Sequence, residues 1–154
     1  MAYRGEKCKQ VRTVLIGLSE ALLKHYEVRQ PPVPVERMLE DPIVGMVEID
    51  PGQISFVMEH GLYSYAPRLA MARLLFREIA ESGIAGKAFE IELPGVTTAD
   101  VKFFSRCLLM PAPWMHRLAQ QALTVHQISV YLQVPSFAVV TRLAELGLSV
   151  PGAR

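Results

Sequence analysis

The chain has 154 residues, with 16 lysines and arginines against 15 aspartates and glutamates, for a formal net charge of +1. Hydrophobic residues make up 51% and charged residues only 20%, which excludes a largely disordered chain and one that holds nucleic acid by bulk positive charge, because counterion release needs a concentrated basic surface. Cys8 and Cys107 lie far apart and form no C-x-x-C pair, so neither a disulfide framework nor a cysteine metal site is implied, and a reducing, cytoplasmic setting is the simplest expectation.

The first element is a helix over about 7–27, in which Val11, Leu15, Leu18 and Leu22 follow the helical period. Glu20, Lys24 and His25 interrupt this apolar run well short of the roughly 20 apolar residues of a membrane span, so a soluble, unexported chain is expected. Its basic residues Lys7, Lys9, Arg12 and Lys24 read as a solvated face. The proline cluster from Pro31 to Pro34 ends that helix and leads into a short one at 35–39. Three β-rich runs follow, at 43–49, 54–58 and 62–65. They are separated by the turn sequences Asp50-Pro51-Gly52 and Glu59-His60-Gly61, a pattern that predicts a three-stranded antiparallel meander.

Next comes the helix expected to organise the fold, from Pro67 to Ser82. Proline is tolerated in the first turn, where its missing N–H has no intrahelical acceptor. Leu69, Ala72, Phe76 and Ile79 form an apolar stripe, while Arg73, Arg77 and Glu81 fall four apart on another face. After Gly83 and Gly86, residues 88–93 alternate like a strand. A helix over 97–110 opens with Thr97 and Asp100 at capping-box spacing and stops at Pro111. Helices are then expected over 113–122, 124–132 and 136–146, with Thr124 and Gln127 at capping-box spacing, Ser136 as a cap and Gly147 as a stop. The last two helices, within 124–148, have helix-turn-helix spacing. Yet Ser136 to Arg142 is mostly apolar with one arginine, and no lysine follows Pro111, so packing or self-association into a homo-oligomer is favoured over DNA readout.

Four segments together carry a family resemblance. Pro31 to Met38 is similar to the P-V-P-x-E-x-(I/M/L) segment of the ImmA/IrrE family of metallopeptidase-like proteins. Arg68 to Arg77 resembles its R-F-T-x-A-H-E-x-G-H helix, Phe104 to Pro111 its F-A-x-x-L-L-M-P segment, and Arg142 to Leu148 its R-L-x-x-L-G-L ending. The order is the family's and the span covers most of the chain. The resemblance implies one domain over 1–154 with an α+β, zincin-like fold: a small three-stranded antiparallel sheet, a central helix and a C-terminal helical layer.

The same alignment removes the chemistry. Arg73 and Arg77 stand where the family has its two zinc-binding histidines, Leu74 stands where it has the general-base glutamate, and Thr98 aligns with the third ligand. Asp100, two residues on, would supply a single carboxylate if the register shifted. A guanidinium has no lone pair for a metal and remains charged, and leucine takes no proton. The expectation is therefore a catalytically inactive domain with no metal or other cofactor, acting by binding a protein or peptide in a regulatory role. A helix-turn-helix repressor in a stress response or mobile element is the partner that the resemblance implies. Arg73 and Arg77 then either line a ligand cleft for a carboxylate, or are simply solvent-exposed or paired with Glu81 and Glu78 along the helix. Two other functions stay open: a DNA-binding regulator acting through 124–148, and a hydrolase with a displaced site, although His25, His60, His116 and His126 never fall four apart.

Overall fold

The computed structural model describes residues 2–46 and 65–153, and every regular element among them is a helix. α1 spans Ala2–His25 and buries Val11, Leu15, Leu18 and Leu22 on the predicted stripe, with Lys7, Lys9, Arg12 and Lys24 exposed. It ends where Glu27 enters the left-handed region, with φ 54°. The N–H groups of Glu27 and Val28 then close on the carbonyls of Lys24 and Leu23 at 3.1 and 2.9 Å, a Schellman arrangement that satisfies two of the last-turn acceptors. The short α2, Val35–Glu40, buries Val35, Met38 and Leu39.

α3 spans Ala66–Ser82, with Pro67 in its first turn as expected, and stops at Gly83 with φ 68°. α4, Ile84–Phe89, follows without a spacer. α5 spans Thr98–Leu109, α6 Ala112–Gln120, α7 Val125–Leu132 and α8 Ser136–Leu146. Both predicted capping boxes are present. The Thr97 N–H donates to Asp100 Oδ2 at 2.8 Å and the Asp100 N–H to Thr97 Oγ1 at 3.2 Å, while Thr124 and Gln127 exchange the equivalent bonds at 2.9 and 3.2 Å. The predicted Ser136 cap is corrected. Pro135 holds the N-cap position, and its carbonyl accepts from the N–H groups of Ala138 and Val139.

α5 is the packing centre, laid against α1 on one side and α3 on another, with α8 also touching it. Phe103, Phe104, Cys107, Leu108, Leu109 and Met110 are all buried, and the rings of Phe104 and Phe76 of α3 are 4.9 Å apart. Each fully buried Leu or Phe contributes about 1.5–3 kcal/mol, so this three-helix seam dominates the core. The expectation that the 67–82 helix is the organiser thus gives way to α5. α7 and α8 pack on each other as a helix-turn-helix pair, turning at Gln133, φ 54°, where Gln133 and Val134 donate to the carbonyls of Val130 and Ser129.

The predicted α+β, zincin-like fold is corrected. Among the described residues there is no strand, and the architecture is all-helical. The run at 54–58, residues 47–49 of the first run and residues 62–64 of the third lie outside the described residues. The part of the first run that is described forms a turn, in which the Met46 N–H reaches the Ile43 carbonyl at 2.9 Å and Gly45 has φ 101°. The alternating 88–93 segment is not a strand either. Its first residues complete α4, whose Ile84 and Ala85 are buried, and Glu90 ends that helix with φ 56°. From Ile91 the chain is extended but pairs with nothing as a ladder, so alternation there reflects partial burial against the core and not a sheet. No helix among the described residues is long and apolar enough to cross a membrane.

Candidate functional site

The four degenerate-motif positions differ in their surroundings. α3 is buried around most of its circumference: besides Met71, Ala72, Leu75, Phe76 and Ile79, it buries Leu74, Arg68 and Glu78. Leu74 is therefore a core residue, facing neither solvent nor a cleft. Arg77 is exposed, its side chain at 55%, and among the described residues its one ion pair is with Glu78 at 3.8 Å, one of the two expected acids, and not with Glu81. Thr98 is exposed in the first turn of α5, and Asp100 is engaged in the capping box. Among the described residues, no group of three His, Cys, Asp or Glu side chains is placed to hold a metal ion.

Arg73 faces a cleft. This opening of about 310 Å³ lies where α3, α5 and α8 meet, with Leu69 and Arg73 on one wall, Lys102, Ser105 and Arg106 on the second, and Phe137 and Thr141 on the third. Arg77, one turn on from Arg73 and roughly 40° round the helix, is not among the residues that line this cleft. Among the described residues, three cations and no acid line the cleft. Arg106 is committed elsewhere, its Nε and Nη2 donating to Glu145 Oε1 at 2.8 and 2.5 Å. Arg73 and Lys102 make no ion pair among the described residues. The hydroxyls of Ser105 and Thr141 donate to the carbonyls of Val101 and Phe137 at 3.0 Å each, which leaves their lone pairs facing outward. The cleft thus offers positive charge and a large apolar lip.

Two buried arginines hold its frame. Arg68 donates from Nε to Glu36 Oε1 at 2.7 Å, from Nη1 to the carbonyls of Leu132 and Gln133 at 3.1 and 2.9 Å, and from Nη2 to the Val33 carbonyl. It therefore ties α3 to the proline segment and to the C-terminus of α7, where a cation also meets the negative end of the helix dipole. Arg142 donates from Nε to the Met110 carbonyl at 3.0 Å and lies 3.5 Å from Glu145, fixing α8 to the end of α5. Both arginines stood in the sequence as motif residues. What they bond to is distant in the chain and invisible to spacing.

A larger groove of about 470 Å³ runs between α1, α5, α6 and α8, and most of its charged groups are already engaged. Arg142 and Glu145 bond as above, and the Arg12 guanidinium sits 4.6 Å from the centre of the Phe103 ring. Cys107 in its floor is buried, and that burial pushes its thiol up to about 11, so it stays protonated and unreactive at neutral pH.

No family model matches the chain, and no curated protein or solved structure matches it.

Proposed function

We propose that the chain is a non-catalytic regulatory module that binds another protein in the cytoplasm through the α7–α8 pair. One observation carries this reading. The exposed positions of the two helices are His126, Gln127, Val130 and Tyr131 on α7, and Ser136, Phe137, Val140, Thr141 and Ala144 on α8. None is lysine or arginine, and Phe137 is 62% exposed in the first turn of α8, the position from which a recognition helix would read bases. The one arginine of the pair, Arg142, is buried and spent on Met110 and Glu145. A DNA reader needs basic and polar side chains here to hold phosphates and base edges, whereas exposed aromatic and aliphatic side chains suit a protein surface. The absence of catalysis is supported by placement as well as by residue type: Leu74 lies in the core, and Arg77 and Thr98 lie on the surface. The sequence resemblance to the ImmA/IrrE family makes a helix-turn-helix repressor the partner of first choice.

The test is affinity capture from the native cell with the full chain, comparing wild type with Phe137→Ser, and anisotropy titration of the same proteins with random duplex DNA at two salt concentrations. The reading expects a captured protein that is lost with Phe137→Ser, and no DNA binding above the non-specific level. Salt-steep DNA binding that survives in Phe137→Ser would refute it.

A further inference from the structure

The surface beside Phe137 has a chemistry of its own. Arg73 and Lys102 face the cleft from two different helices, neither paired to an acid among the described residues, and Arg106 adds a third cation largely neutralised by Glu145. The nearest apolar walls are Leu69 and the exposed ring of Phe137. An acidic ligand gains charge-assisted hydrogen bonds from Arg73, whose five donors match a carboxylate, and a point charge from Lys102. At about 310 Å³ the space suits one or two side chains rather than a whole folded surface.

We infer that this cleft takes the carboxylate of an aspartate or glutamate in a segment of the partner protein, with an apolar neighbour of that residue resting on Phe137. The inference rests on the protein-binding reading above and adds what the bound segment must contain. Arg73 and Lys102 sit on α3 and α5, while Phe137 sits on α8, so the segment bridges the helical pair and the core helices. Charge selects the acid, and the aromatic lip selects its neighbour.

The experiment titrates the ¹⁵N-labelled full chain with the blocked tetrapeptide acetyl-Ala-Glu-Phe-Ala-amide, its glutamine counterpart and inorganic phosphate. The expected result is saturable movement of the Ser105, Ala138 and Thr141 amide signals with the glutamate peptide and not with the glutamine one. Binding should weaken roughly tenfold in Arg73→Gln and in Lys102→Gln. Both variants should melt like wild type, because both side chains reach solvent. Equal shifts with the glutamine peptide, no shifts at all, or phosphate binding as tightly at the same amides would each overturn the assignment. The two proposals separate in the capture assay. If the Arg73→Gln, Lys102→Gln double variant captures the partner as well as wild type while Phe137→Ser does not, the protein-binding reading stands and the acidic anchor falls.

Discussion

Arg68 and Arg142 are 6% and 3% exposed; Arg68 donates to three backbone carbonyls and Glu36, and Arg142 to the Met110 carbonyl and Glu145. Removing a guanidinium from such a place deletes charge-assisted bonds and leaves buried carbonyl acceptors short of a donor, a loss of about 3–5 kcal/mol. Arg68→Ala and Arg142→Ala are therefore each expected to lower stability by about that much in urea unfolding. Arg77→Ala, whose side chain is half in water beside a carboxylate at 3.8 Å, is expected to stay within about 0.5 kcal/mol. Losses below about 1 kcal/mol for the buried pair would mean that these networks are dispensable. The sequence exposed both residues as arginines in otherwise apolar surroundings, which is a sign of a specific partner. It concealed the partners, since Val33 and Leu132 are 35 and 64 residues from Arg68 along the chain.

At the level of elements, helix ends were the most legible feature. Thr97 with Asp100, Thr124 with Gln127, and the glycines at 83 and 147 act through contacts within a few residues, so local chemistry suffices to place them. Which face of α3 is functional was not legible. A clean stripe of Leu69, Ala72, Phe76 and Ile79 implied a free opposite face, yet α5 and α2 both pack on this helix and bury Leu74 and Arg68 as well. The consequence bears on the motif positions. The variant combining Arg73→His, Leu74→Glu, Arg77→His and Thr98→Glu restores the residue types of a zinc site, but position 74 lies in the core. Isothermal titration calorimetry should detect no stoichiometric zinc, and the melting temperature should fall, because the new carboxylate at 74 is buried without a partner. Tight zinc binding with a raised melting temperature would show that the four positions can still meet.

For the whole molecule, composition and periodicity place a long amphipathic N-terminal helix, a C-terminal helical layer and a terminal helix-turn-helix pair, and the structure has all three. They misplace the centre. Alternation at 88–93 suggested a strand where the chain is a short helix and an unpaired extended run, since a period of two arises wherever successive side chains meet core and water in turn. The organising helix is α5, which only tertiary packing against both α1 and α3 reveals. The cleft follows from the same geometry: Arg73, Lys102 and Phe137 belong to three elements and share no sequence motif. What they produce together is a surface with positive charge from α3 and α5 and an aromatic ring from α8, beside a pair of helices whose exposed positions carry no lysine or arginine. Site-specific photo-crosslinking in the native cell tests that claim most directly, with a photoreactive phenylalanine analogue placed at Phe137 and, as a control, at the exposed His116 of α6. The account predicts a discrete protein adduct from position 137 and none from position 116; adducts to nucleic acid at 137, or the same products from both positions, would contradict it.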